Sequence, residues 1–134
     1  MASSKQGRGR DVGSEDANAV PAPLSATDFH VLMVLTEGAS YGYAILKAVE
    51  AQSGGAVAPE IGTMYRVVAR LMAEGWVEEG EAPSDVPETT RGRPRRYYAL
   101  TAEGRRVAHA EARRLAELVA LARVRDLLPE AGTP

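Results

Sequence analysis

Four guanidinium groups crowd into the six residues Arg91-Gly92-Arg93-Pro94-Arg95-Arg96. Guanidinium is planar and permanently charged, and it meets phosphate oxygens or the O6/N7 edge of guanine with two parallel hydrogen bonds. Glycine lets such a segment approach a surface closely, and proline holds it extended. Arg-Gly-Arg-Pro therefore suits the narrow minor groove of A/T-rich DNA, where negative potential is concentrated. A solvated polybasic loop would have the same composition, so position in the fold has to separate the two.

A second set lies upstream. If Ile61, Met64, Tyr65, Val68, Leu71 and Met72 form the buried stripe of a helix, the opposite face carries Gly62, Thr63, Arg66, Val67 and Arg70. Arg66 can bond guanine, and Thr63 offers a hydroxyl to a base or phosphate and a methyl to thymine. Gly62 lets the backbone come close. Tyr41 and Tyr43 could each donate a hydroxyl to phosphate or pack as core tyrosines.

The overall balance hides this basic character. The 134 residues carry a formal net charge of −2, yet between Arg91 and Arg114 eight arginines face only two acids, Glu103 and Glu111. The opposing acids gather at Asp11 to Asp16 and Glu74 to Glu88. With no cysteine, disulfides, thiolate metal sites and thiol nucleophiles are excluded, and a reducing cytoplasm is the expected setting. His30 and His109 share no ligand spacing with a carboxylate, so no metal or other cofactor is expected. A phosphate-binding glycine loop is missing, and no histidine sits beside a plausible nucleophile, so no enzymatic activity is expected. No apolar run approaches the roughly 20 residues that span a bilayer. The N-terminus lacks the apolar centre of a signal peptide.

The elements that must position these groups are legible from periodicity and punctuation. Residues 1–23 are nearly devoid of large apolar side chains and are expected to form a disordered tail. Ser25 with Asp28 resembles a capping box, followed by Phe29, Leu32, Met33 and Thr36 at helical spacing and a stop at Glu37-Gly38. A second helix is expected from Ser40, burying Ala44, Ile45, Ala48 and Val49 and ending at Gly54-Gly55. Pro59 opens a third, which Gly75 ends. Trp76 to Glu79 and Arg95 to Leu100 then read as strands of a hairpin, with residues 80–94 as its long tip. Thr101 caps a last helix whose Ala108, Ala112, Leu115, Val119 and Ala122 alternate four and three apart, a seam widened by Leu118 and Leu121.

The expected fold is mainly α with a small β-hairpin: a winged helix-turn-helix over residues 24–100, a long C-terminal dimerisation helix over 101–128 and a short disordered tail over 129–134. In that arrangement the third helix enters the major groove and the basic hairpin becomes the wing. The expected DNA contacts are Tyr41, Tyr43, Gly62, Thr63, Arg66, Arg70, Arg91, Arg93, Arg95 and Arg96. Ala108, Ala112, Leu115, Leu118, Val119, Leu121 and Ala122 are the expected dimer contacts.

Four motifs in order carry a family resemblance: Ser40-Tyr41-Gly42-Tyr43-Ala44-Ile45, Gly62-Thr63-Met64-Tyr65, Arg70-Leu71-Met72-Ala73-Glu74-Gly75-Trp76-Val77, and the run from Gly92-Arg93-Pro94 to Ala102-Glu103-Gly104. Together they resemble the PadR-like transcriptional regulators over about residues 24–121. The resemblance implies a winged-helix homodimer that usually represses promoters, with Thr63, Tyr65 and Arg66 on the recognition helix, which adds Tyr65 to the expected DNA contacts, and Gly92 to Arg96 in the wing. A single C-terminal helix corresponds to the short subtype, and the segment 80–91, with Glu81, Asp85 and Glu88, is longer than the pattern explains. Family members often answer to small-molecule effectors. Here Arg105, Arg106, Arg113, Arg114, Arg123 and Arg125, without tryptophan or phenylalanine on the helix, suit an anionic effector better than a planar hydrophobic one, but a solvated helix face or added phosphate contacts would more often have this composition. The rival reading is a winged helix that binds a protein partner instead of DNA.

Overall fold

The computed structural model describes residues 23–83 and 95–130. Its elements are α1 (Ala26–Leu35), β1 (Ser40–Tyr41), α2 (Gly42–Gln52), α3 (Ile61–Ala73), β2 (Val77–Gly80), β3 (Tyr97–Leu100) and α4 (Ala102–Val124). The three strands form one antiparallel sheet in the order β1-β3-β2. Three helices, this sheet and the long fourth helix make a winged helix-turn-helix. The expected tails, apart from Pro23, Pro129 and Glu130, lie outside the described residues, as do residues 84–94 of the hairpin tip.

The helix ends follow local chemistry. Ser25 Oγ accepts from the Asp28 amide at 3.1 Å, satisfying one orphan donor of α1. Thr101 Oγ1 does the same for Gly104 at 2.9 Å and donates to the Gly75 carbonyl at 2.7 Å. One residue thus caps α4 and ties it to the turn before β2. Gly75 adopts φ 86°, the left-handed conformation that ends a helix cheaply only for glycine.

The core joins all four helices to the sheet. Val31, Leu32, Ile45, Val49, Met64, Leu71 and Val107 are essentially fully buried and belong to one cluster. Each contributes about 1.5–3 kcal/mol through its removal from water. Gly104 lets α4 approach the turn before β2 closely, since a Cβ there would collide with the Trp76 carbonyl oxygen.

Several sequence expectations are corrected. The buried side of α1 is Asp28, Val31, Leu32 and Leu35, one step round from the expected stripe; Met33 and Thr36 face outward and Phe29 is half-buried. The Asp28 amide gives Ser25 the expected cap bond, while its carboxylate lies on this buried side and accepts from an arginine of α3. The second helix begins at Gly42, since Ser40 and Tyr41 pair with Tyr98 and Tyr97. The expected hairpin is therefore a three-stranded sheet. Leu46 is buried in α2, while Ala44 and Ala48 are only half-buried. Glu60 precedes the first residue of α3, so Pro59 lies outside that helix. The buried stripe of α3 is Met64, Val67, Val68 and Leu71; Val67 is inside, and Ile61 and Tyr65 are exposed.

Candidate nucleic-acid interface

The spacing 64, 67, 68, 71 anchors one side of α3 in the core, as helical periodicity requires. Gly62, Arg66, Ala69 and Ala73 consequently lie on the outer side, with Thr63 half-buried at its edge. Arg66 donates from Nη2 to Thr63 Oγ1 at 3.1 Å. That bond links the two side chains best suited to base edges and leaves the rest of the guanidinium fork facing outward.

Arg70 is different. Its Nη1 and Nη2 donate to Asp28 at 3.0 and 2.6 Å, a bidentate pair that clamps α3 to α1. Those hydrogen bonds hold the Arg70 proton more tightly than usual, against the opposing effect of burial. The expected DNA contact is thus engaged in an internal strut, although its side chain remains half-exposed. Asp28, which appeared in the sequence only as a helix cap, is the residue missed. An acid whose partner lies 42 residues away leaves no local signal.

The tyrosines divide by role. Tyr41 is half-buried; its ring meets Tyr97 edge-on at 5.5 Å and carries the Arg95 guanidinium 4.2 Å from its centroid. Arg95 therefore spends its cationic face on Tyr41, bracing β3 against β1 at the base of the hairpin. Arg96 pairs with Glu79 at 3.4 Å between two exposed side chains, a contact worth little by itself. Tyr98 is buried in the sheet, and that burial pushes its hydroxyl pKa up. Tyr43 stands exposed on α2 with the Lys47 ammonium 5.8 Å from its ring. Lys47 is a basic group on the helix that partners α3, and a single lysine amid apolar residues carried no signal in the sequence. The ring of Tyr65 lies over Gly42. Arg91 and Arg93 fall outside the described residues.

The expected dimer residues are split by α4's path. Its first turns pack Gly104, Val107, Ala108 and Glu111 into the protomer, so Ala108 belongs to the chain's own core. Farther along, Leu115 and Ala122 are half-buried, Ala112 is exposed, and Leu118, Val119 and Leu121 face outward. Val124, Leu127 and Leu128 extend that apolar surface. Glu111 is buried and accepts from Arg114 at 3.1 and 2.6 Å. That bonding, opposed by burial and aided by the Leu24 amide, holds its carboxyl below the usual range.

Among the described residues no cluster of histidines and carboxylates could hold a metal ion. No described helix is long and apolar enough to cross a membrane.

Comparison with known proteins agrees with this architecture. A transcriptional regulator of Clostridium thermocellum is 24% identical, with a TM-score of 0.53 over 77% of this chain and 92% of that one. A PadR family transcription regulator from Clostridium difficile is 20% identical, with a TM-score of 0.59 over 74% and 96%. Bacillus subtilis PadR in complex with operator DNA is 21% identical, with a TM-score of 0.51 over 63% of this chain and 45% of that longer one. At these identities the likeness is one of fold. Curated proteins give no significant sequence match. The sequence pattern of the family described as "Transcriptional regulator PadR-like family" matches residues 31–110, more than half of the chain. The chain belongs to the PadR-like family of transcriptional regulators, a family of regulators and not of enzymes.

Proposed function

We propose that the chain is a sequence-specific DNA-binding repressor that grips an inverted-repeat operator as a homodimer and is released by a small-molecule effector. The observation that carries the reading is the outer side of α3, where Gly62, Thr63 and Arg66 sit together, chemically suited to base edges, on a helix anchored by its opposite stripe. A B-form major groove admits one such helix. The Bacillus subtilis relative of this fold is seen with operator DNA, which supports the same use here. Tyr43 and Lys47, with the wing arginines Arg91 and Arg93, would supply phosphate and minor-groove contacts beside α3.

Dimerisation rests on the apolar surface that α4 carries past its own core. A two-fold dimer reads each half-site alike, placing their centres about 10–10.5 base pairs apart, or a multiple of that. Occupying such a site in a promoter would exclude polymerase. Arg105, Arg113 and Arg125 project from exposed positions at or just beyond α4, and symmetry would bring copies of them together to hold an anionic effector.

Selection of bound duplexes from a random pool tests the reading in one experiment. The expected result is a two-fold-symmetric motif whose affinity falls steeply with salt. Recovery of no motif, together with salt-insensitive capture of a protein partner, would put the protein-interaction reading in its place.

A further inference from the structure

We propose that Ile61 reads the 5-methyl group of a thymine in each operator half-site; the inference rests on the DNA-binding reading and deepens it. Ile61 is the first residue of α3, and 41% of its surface is exposed although it is a large branched hydrocarbon. The core does not need it, because Met64, Val67, Val68 and Leu71 already form the buried stripe. Side chains on a helix lean toward its N-terminal end, so Ile61 projects past the end of α3 that leads into the groove.

Its neighbour supplies an independent observation. Gly62 has no left-handed backbone, and a Cβ built on it meets nothing within 4 Å. The protomer's packing therefore does not demand a glycine, and alanine would favour the helix more. The open space at Gly62 lets a base edge come close to the first turn of α3, from which Ile61 projects. An isoleucine can be satisfied by only one kind of group on that surface. The floor of the major groove presents donors and acceptors at every base pair, and its one apolar group is the thymine methyl.

The experiment replaces each thymine of the selected operator, one at a time in both half-sites, by deoxyuridine, which removes only the methyl. Affinities are measured for wild type, Ile61→Ala and Ile61→Val, with thermal melts to establish folding. Wild type should lose about fourfold per half-site at one thymine position, the factor for one methyl group removed from water. Ile61→Ala should bind the thymine operator more weakly and show almost no further loss at that position, while keeping wild-type losses elsewhere. Ile61→Val, which keeps the branched contact, should restore most of the sensitivity. A general folding defect would weaken all operators alike and could not erase the penalty at one position. If the uridine penalties of wild type and Ile61→Ala coincide at every position, or if the half-site contains no thymine, Ile61 is not the reader, although DNA binding stands. If wild type binds no duplex, both readings fall together.

Discussion

The ring of Tyr65 on α3 lies directly over Gly42 at the start of α2: a Cβ on Gly42 would come within 2.5 Å of the ring and 2.8 Å of the hydroxyl oxygen. Glycine at position 42 thus exists for the tyrosine, and the pair sets how closely the two helices of the motif approach. Gly42→Ala should push the half-exposed ring outward and cost about 1 kcal/mol of stability. In a Tyr65→Ala background the same change should cost nothing, or gain a few tenths from better helix propensity. A double-mutant cycle by chemical denaturation measures that coupling; additive effects would show that the contact is inconsequential.

The Asp28–Arg70 clamp predicts an asymmetry. Asp28 is buried, with 8% of its side chain exposed, whereas Arg70 is half-exposed. Arg70→Ala strands a carboxylate among apolar neighbours and should cost about 2–3 kcal/mol. Asp28→Asn leaves an arginine that can swing into water and should cost about 1 kcal/mol. Equal losses in urea denaturation would mean that the pair is no more than a surface contact.

Acid stability should depend on Glu111. Its carboxyl is held below the ordinary glutamate value in the folded chain, chiefly by the hydrogen bonds from Arg114. A lowered carboxylate binds fewer protons folded than unfolded, so its contribution is complete above the unfolded value and disappears as pH falls through the folded one. Glu111→Gln should therefore be less stable than wild type at neutral pH. The two melting curves should converge as the pH drops below about 4.3, the ordinary value for an unfolded glutamate. Glu103, also lowered by bonding to its arginine, Arg106, adds a weaker dependence of the same sign from an exposed position.

What the sequence made legible was whatever has a local cause. Ser25 and Thr101 cap as their types suggest, and Gly75 punctuates where expected. The two-residue strand β1 has no periodicity to detect, and its partners Tyr97 and Tyr98 lie more than fifty positions away. The face of α3 was ambiguous because apolar residues occupy two adjacent sides, and only packing shows that Val67 goes in and Tyr65 stays out. The site was legible with a similar bias. Arginine type announced capacity to bind phosphate, but Arg70 turns its fork to Asp28 and Arg95 lays its face on Tyr41, through contacts that only the folded chain creates.

The C-terminal helix should be the assembly device. Gly104, Val107, Ala108 and Glu111 are its buried residues, and the stretch from there to Val124 extends about 20 Å. Leu118, Val119, Leu121 and Val124 are exposed along it. Since 38–78% of each is still exposed, a second copy that covered them would add roughly 1 kcal/mol or more apiece. Wild type should sediment as a dimer at roughly micromolar concentration, a range in which a gain of several kcal/mol decides the state. Leu118→Glu with Leu121→Glu should give a folded monomer whose helical signal is kept. A monomeric wild type would remove the helix from this role.

The division of labour between α3 and the wing is testable by salt. Arg66, bonded only to Thr63 among the described residues, is free to turn its fork to guanine, so Arg66→Ala should cost about 1–3 kcal/mol per half-site and relax preference at one position. Arg93 lies in the Arg-Gly-Arg-Pro run, whose composition suits phosphate or a narrow minor groove. Arg93→Ala should weaken cognate and scrambled duplexes nearly alike. It should also flatten the slope of log affinity against log salt by about 0.9 for each phosphate left without its arginine, and two wings can double that change. A mild loss of preference at A/T flanks would add groove-width sensing without any base bond. The measurement is salt-titrated binding of wild type and the two variants to operator and scrambled DNA. If the Arg66 variant changes only the salt slope and the Arg93 variant only the base preference, the roles of helix and wing are exchanged. If neither variant differs from wild type in affinity, preference or slope, DNA is not read by this surface.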